Sequence, residues 1–276
     1  MPVISLLTDF GLSDSYAGIM KGVIASLCPD ARVIDITHQV APGDIYGAAY
    51  ALSSACPYFP KDTIHVTVVD PGVGSGRRII AVRTGAGIFL APDNGVLSMV
   101  ADKYRVSAAY SVENRDIFIH PVSKTFHGRD IFAPVAAYLA CKMDMAELGP
   151  AVSEKSLVRL DYAQRPELDE KGRLCGSVIA VDRFGNLITN IGREDIEEAF
   201  GAGRADGQED ICINAGDRII RGISESYSSV PEGALLAIIG STGRLEISVN
   251  AGNAASQLKL GRKDRVTAAP CDAIND

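Results

Sequence analysis

The sequence has no tryptophan, only 6% aromatic residues and only four histidines among 276 residues. Neither its histidines nor its cysteines show metal-ligand spacing, so no metal centre is expected. Cys28, Cys56, Cys141, Cys175, Cys212 and Cys271 are scattered, with no Cys-x-x-Cys pair. They read as reduced thiols in a cytoplasmic protein. No apolar run reaches membrane-spanning length. Met1 to Phe10 lacks a basic n-region and runs straight into a strand pattern, so no secretory signal is expected. Positive charge is in deficit: 27 Lys and Arg face 34 Asp and Glu, for a net charge of -7 and a pI near 5.2. Nucleic acid and anionic membranes are therefore poor default partners, whereas a cationic small ligand is compatible.

What is present is an ordinary globular composition, 47% hydrophobic and 22% charged. Such a chain buries a sizeable core without metal or disulfide staples, and its length favours two domains. In the first half, strand patterns alternate with helix patterns. Val3–Thr8, Arg32–Thr37, Thr63–Val69, Ile79–Val82 and Ile88–Ala91 read as strands. Tyr16–Leu27, Ile45–Cys56, Val96–Tyr104 and Asp130–Lys142 read as helices. That alternation predicts an α/β layered domain with a largely parallel sheet. Gly149 to Arg173 is polar and aperiodic and reads as a connection. Beyond it short strands dominate: Gly176–Val181, Leu187–Ile191, Ile211–Ile213, Arg218–Ile223, Leu235–Ile239 and Leu245–Asn250. One short helix, Glu194–Phe200, interrupts them. This pattern suggests a small β-barrel or sandwich. The expected domains are residues 1–160 and 173–268.

Several segments carry polar residues where a ligand site would need them. Thr8-Asp9-Phe10-Gly11 falls at the end of the first strand, and open α/β sheets bind ligands outside the carboxyl ends of their strands. Asp9 there suits a pair of hydroxyls such as a ribose diol; it equally suits a turn cap, with Asp14 capping the next helix. Asp70-Pro71-Gly72-Val73-Gly74-Ser75-Gly76-Arg77-Arg78 follows the most β-branched segment. No helix pattern follows, so it is neither a P-loop nor a dinucleotide fingerprint. It reads either as a plain tight turn or as a strand-end carboxylate held by a returning guanidinium. Thr125-Phe126-His127-Gly128-Arg129-Asp130 opens a helix, a position that favours a neutral imidazole able to bond a water. Asp182-Arg183-Phe184-Gly185-Asn186 joins two strands. It is either a hairpin turn or an ammonium-binding Asp beside an Asn for a purine edge. Ser241-Thr242-Gly243-Arg244 and Asn250-Ala251-Gly252-Asn253-Ala254-Ala255 are further corners.

Taken in order, with Ala91-Pro92-Asp93-Asn94-Gly95 added, these segments resemble the S-adenosyl-L-methionine hydroxide adenosyltransferase (SAM hydrolase) family, relatives of fluorinase and chlorinase. The resemblance runs to about Ala268. It implies an N-terminal α/β domain, a C-terminal β-barrel and a homotrimer with sites at subunit interfaces. It implies hydrolysis of S-adenosyl-L-methionine to adenosine and L-methionine, with no cofactor and no metal. Asp70, Arg77 and His127 match the catalytic set, in the register that selects Arg77 over Arg78. Asp9 matches the ribose-diol carboxylate, and Asp14 lies in the loop over the methionine end. Asp182 matches the ammonium ligand and Ser241 a carboxylate ligand. Asn186 and Ala254 match adenine contacts, and Phe126 and Phe184 are apolar walls. Halogenating relatives carry Tyr where Asp70 and His127 stand and Ser at Gly128, so halide chemistry is not expected. Thr242 replaces an Arg beside Ser241, which implies a different hold on the substrate carboxylate. Two other classes fit parts of the pattern. Asp9, Asp14 and Asp70 could serve a metal-dependent phosphohydrolase, and the whole set could serve a non-catalytic adenosine or S-adenosyl-L-methionine binder.

Overall fold

The most strongly β-branched segment, Ile64–Val68, is wholly buried and forms the inner strand β3 of a six-stranded sheet. The structure is a computed structural model that describes residues 1–161, 165–203, 205 and 210–273. The chain divides into two compact units, Met1–Leu160 and Asp161–Asp276.

In the first unit, β1 (Val3–Thr8), α1 (Tyr16–Leu27), β2 (Arg32–Thr37) and α2 (Ile45–Ala55) precede β3. After it come β4 (Ile79–Thr84), β5 (Gly87–Pro92), α3 (Ser98–Lys103), β6 (Val106–Ser111) and α4 (Ala133–Ala140). The sheet order is β2-β1-β3-β5-β4-β6. β1 runs parallel to β2 and β3, and β3 runs parallel to β5; β4 is antiparallel to β5 and β6. Period-2 alternation sends Leu6, Val66 and Val68 to one face and Leu7 and Val69 to the other. The first face packs on Met20 and Ile24 of α1 and on Val135 and Ala136 of α4. The second packs on Ala48 and Leu52 of α2 and on Val100 of α3. A sheet covered on both faces explains why β5 is a continuous apolar run and why even His65 and Thr67 of β3 are buried.

The second unit contains β7 (Glu167–Leu168), β8 (Leu174–Val181), β9 (Leu187–Gly192), α5 (Arg193–Phe200) and β10 (Ile211–Ala215). It continues with β11 (Arg218–Arg221), β12 (Leu235–Ile239), β13 (Arg244–Val249), α6 (Ala254–Leu258) and β14 (Arg265–Pro270). The order β11-β10-β14-β8-β9-β13-β12 is antiparallel throughout. A bridge from Ser224 to Ile238 brings the chain leaving β11 back to β12, so the sheet nearly closes into a barrel. Leu187, Ile191, Ile213, Leu245, Ile247 and Val266 fill its interior.

Four expectations change. The helix expected over 130–142 begins as a π-helical turn, Gly128–Phe132, before α4. The connection expected over 149–173 starts later, because Ser111 and Val152 exchange backbone bonds with Pro150 and Ala109 at the edge of β6; residues 162–164 of it lie outside the described ones. Strands β6, β7 and β14 and helix α6 were not anticipated. Finally, the cysteines are not all reduced: Cys212 and Cys271 form a disulfide with Cα atoms 4.9 Å apart. Antiparallel pairing of β10 with β14, 59 residues apart in the chain, juxtaposes these two cysteines, a relation that sequence spacing does not carry. No helix among the described residues is long and apolar enough to cross a membrane.

The Ala91–Gly95 segment acts as a clamp inside the first unit. Asp93 accepts from Arg78 Nε at 2.9 Å and from the Val158 N–H at 2.9 Å, and Asn94 Nδ2 donates to the Val69 carbonyl at 2.9 Å. The Asp93 side chain is only 2% exposed, so its removal takes away the carboxylate of Arg78 and leaves the Val158 amide without its acceptor. Asp93→Ala should lower unfolding stability by about 2–3 kcal/mol in urea titrations. A loss below about 0.5 kcal/mol, the range of neutral surface changes, would contradict the clamp.

Candidate active site

Thr8 of β1 pairs with Val68 of β3, so the loops starting at Asp9 and Val69 leave the same sheet edge side by side. The loop after β3 folds on itself. Val73 N–H bonds the Asp70 carbonyl at 3.1 Å, and Ser75 Oγ donates to the Gly72 carbonyl at 2.7 Å. This returns Arg77 to Asp70. Arg77 Nε donates to Asp70 Oδ1 at 3.0 Å and Oδ2 at 2.8 Å, and its Nη2 also bonds Oδ2. The same Nη2 lies 2.8 Å from His127 Nδ1. Their side chains are 4% exposed for Asp70 and 12% for Arg77. Arg77 thus pairs with Asp70, while Arg78 belongs to the Asp93 clamp.

A guanidinium only donates, so His127 Nδ1 accepts and the neutral ring carries its hydrogen on Nε2. Burial, and next the charge of Arg77, hold the His127 pKa below its ordinary 6.5. Gly74 sets the approach of the two segments. Its φ is +78°, and a Cβ there would sit 2.3 Å from the Lys124 carbonyl oxygen, so only glycine lets the loop lie against the run-in to His127.

Asp130 anchors that run-in from below. It is fully buried and accepts from Arg129 Nε at 2.6 Å and the Ser123 N–H at 2.7 Å. Burial pushes its pKa up, but these bonds outweigh it and hold the carboxyl below the usual range. Gly128 packs where a Cβ would meet Met20 Sδ at 3.1 Å and the Phe10 ring at 3.3 Å. Phe126 lies edge-on to Tyr16 at 5.0 Å and to Phe10 at 6.0 Å. Phe126 is thus buried in an aromatic cluster with Phe10 and Tyr16. Phe10 belongs to the Thr8–Gly11 motif and Tyr16 opens the first helix, but neither was assigned a role from sequence.

Asp9 does not cap its own turn. Its Oδ2 accepts the Gly43 N–H at 2.8 Å from the loop before α2. Asp14 is exposed, and the cap position of α1 is Ser15, with no side-chain bond, so Asp14 does not cap that helix. The other histidines have structural partners. His38 Nδ1 bonds Thr8 at 2.8 Å, His65 Nδ1 bonds Ser5 at 2.7 Å, and His120 bonds the Arg115 carbonyl at 2.9 Å.

In the second unit, the β8–β9 turn is both a hairpin and a cluster of candidate ligands. Asp182 Oδ1 accepts the Phe184 and Asn186 N–H groups at 2.9 Å each, and Oδ2 accepts Asn186 Nδ2 at 2.8 Å. Gly185, at φ +85°, lies against Asn253, which would be 2.1 Å from a Cβ. Asn253 in turn caps α6 through the Ser256 N–H at 2.7 Å and starts the turn of buried Ala254. Asp182, Asn186, Phe184 and Ala254 are therefore neighbours on one end of the barrel. Phe184 is 74% exposed. Ser241 is exposed in the β12–β13 turn. The sequence reading missed Glu246 and Tyr227. Glu246 is buried and accepts from the Tyr227 hydroxyl at 3.3 Å; burial and then the charge of Asp182 raise its pKa. A lone Glu in the apolar alternation of β13 was the available signal.

Among the described residues, no three His, Cys, Asp or Glu side chains are placed to share a metal ion. The first unit thus offers a carboxylate fixed by a guanidinium beside a neutral imidazole, bordered by aromatic rings and a second carboxylate. That set can orient and deprotonate a small protic nucleophile.

Comparison with known proteins gives one answer over most of the chain. Residues 4–149 match the SAM hydroxide adenosyltransferase N-terminal domain and residues 176–267 the C-terminal domain. An (R)-S-adenosyl-L-methionine hydrolase of Salinispora tropica is 41% identical over 96% of this chain and 97% of its own. A fluorinase of an Actinoplanes species is 30% identical over 72% of this chain and 74% of its own. The crystal structure of an uncharacterized conserved protein from Thermotoga maritima superposes with a TM-score of 0.87 at 36% identity, covering 96% of this chain and 99% of that one.

The Arg77–His127 contact makes a statement that needs no activity assay. The His127 imidazole should titrate below 6.5 and carry its hydrogen on Nε2 when neutral. Nitrogen NMR of histidine-labelled protein reads both. Replacing Arg77 with Met should raise the His127 pKa and free its tautomer. An imidazole titrating above 6.5 would mean that Arg77 does not face it.

Proposed function

Because this chain belongs to the SAM hydroxide adenosyltransferase family, we infer that it hydrolyses S-adenosyl-L-methionine to adenosine and L-methionine, with Asp70, Arg77 and His127 positioning the attacking water. The observation that carries the residue assignment is the continuous chain of bonds from Asp70 through Arg77 to His127 Nδ1.

The reaction is a displacement at ribose C5′. Water oxygen bonds to C5′, the C5′–S bond breaks, and its electron pair leaves on sulfur as the neutral thioether of methionine. The leaving group therefore needs no acid. The nucleophile is the weak partner, and positive charge builds on its oxygen as the C–O bond forms. Asp70 accepts one water hydrogen and stabilises that charge, taking up the proton before it passes to solvent. A carboxylate against the sulfonium would instead lose its contact as the charge leaves sulfur and would favour the ground state. Arg77 occupies Nδ1 of His127, so the imidazole offers Nε2–H to one water lone pair and leaves the other for C5′.

The remaining residues hold parts of the substrate that do not react. Asp9, with one oxygen on Gly43, takes the ribose hydroxyls, and Phe126 walls the sugar. Asp182 takes the ammonium, and Asp14 borders the methionine end. Asn186 gives its amide nitrogen to Asp182, so its side-chain oxygen is left to accept from adenine, beside Phe184 and Ala254. Ser241 takes the carboxylate, without the Arg that Thr242 replaces. A halide beside Asp70 would meet a fixed negative charge, so water is the nucleophile. The reading includes a cytoplasmic homotrimer and a reaction that needs neither metal nor cofactor. Light scattering should return the mass of three chains, and a monomer would contradict that part.

Asp70→Asn keeps the shape of the side chain and removes its charge. It should lower kcat by roughly 10²–10⁴-fold while leaving the Kd for S-adenosyl-L-methionine within about threefold. Loss of binding in a folded variant would place Asp70 on the substrate instead of the water.

A further inference from the structure

Two thiols outside the site meet at the far ends of two packed helices. Cys28 follows the last residue of α1 and Cys141 the last residue of α4, and their sulfurs are 2.6 Å apart. Their positions in the chain differ by 113 residues, so the contact is made only by the folded helix pair. Cys28 is 3% exposed, whereas Cys141 lies at the surface. One sulfur is therefore open to a small oxidant, and the other waits directly behind it.

We propose that Cys28 and Cys141 form a peroxide-oxidised modification site, closing to a reversible disulfide that ties α1 to α4. The exposed Cys141 sulfur attacks the peroxide O–O bond, giving a sulfenic acid and one water. Cys28 sulfur then displaces the sulfenic oxygen, which leaves as a second water with the Cys28 proton. Two thiols and one hydrogen peroxide thus give one disulfide and two waters. Burial pushes the Cys28 thiol up to about 11, so it stays protonated until the sulfenic acid beside it provides an electrophile.

The bond would close at the opposite end of the helices from the site. Tyr16 opens α1 against Phe126, and Gly128 sits on Met20 of α1 just before α4. A 12-residue helix spans roughly 18 Å, so the cross-link would lie well away from Asp70 and His127. Oxidation would leave those side chains in place and prevent α1 and α4 from separating.

The full-length chain, with Cys212–Cys271 intact and the four free cysteines as thiols, is treated with hydrogen peroxide, alkylated and mapped by peptide mass spectrometry. Cys56 and Cys175, the other free thiols, are internal references, and Cys212–Cys271 gives a separate cross-linked peptide. The expected result is a Cys28–Cys141 cross-linked peptide, at least tenfold less alkylation of both residues, and full reversal by dithiothreitol. The Tm should rise on oxidation by roughly 5 °C or more, given the long loop closed. Cys141→Ser, a surface change that keeps the fold, should abolish the cross-linked peptide and the Tm rise. Full alkylation of Cys28 after peroxide treatment, or Cys141 carried to sulfinic acid with Cys28 still free, would overturn the proposal.

Discussion

The Arg77 guanidinium is the shared member of two contacts, and the order of the first unit around it follows from that sharing. Through Nε and Nη2 it fixes both oxygens of Asp70, and through Nη2 it occupies one nitrogen of His127. A single planar cation thereby sets the direction of a carboxylate and the tautomer of an imidazole. Lysine, a point charge with no fork, could not do both. The cost is a charged group at 12% exposure, offset by the carboxylate it pairs with.

Placing that guanidinium demands much of the backbone. The chain must leave β3, fold back on itself and re-enter the sheet as β4 between Val68 and Ile79, in a loop rich in glycine. Gly74 lets it lie on the Lys124 carbonyl. Gly128 lets the His127 turn sit on Met20, and buried Asp130 fixes the same turn through Arg129 and Ser123. The π-helical turn is part of this arrangement, and such turns recur at functional positions. In the second unit the same economy appears at Asp182, whose carboxylate shapes the hairpin that presents Asn186 and Phe184.

Much of this was legible in the sequence where the pattern is local. The β-branched run ending at Val69 announced a central strand, and the Asp followed by a returning Arg announced a held carboxylate. The choice between Arg77 and Arg78 was not local; Asp93 and the Val158 amide decide it from distant segments. The helix over 130–142 was legible, but its π-helical first turn was not, because such a turn keeps an apolar pattern while adding a residue. Strand β14 ends in Pro270 and carries small residues, so its signal was weak, and α6 is short enough to pass as a corner. Glu246 occupies a polar position of the Leu245–Val249 alternation, yet it is buried. The Cys212–Cys271 bond depends on strand order, which spacing does not encode. Asp182 to Asn186 read as a hairpin or a ligand cluster, and the fold satisfies the first without removing the second.

The central claim is that a water held by Asp70 and His127 attacks the ribose carbon. It is tested most directly by incubating the protein with S-adenosyl-L-methionine in ¹⁸O-labelled water containing a chelator, then analysing the products by mass spectrometry. The account predicts equal amounts of methionine and adenosine, with one ¹⁸O atom in the 5′-hydroxyl of the adenosine. Adenine among the products, unlabelled adenosine, or no turnover until a divalent metal is restored would contradict it.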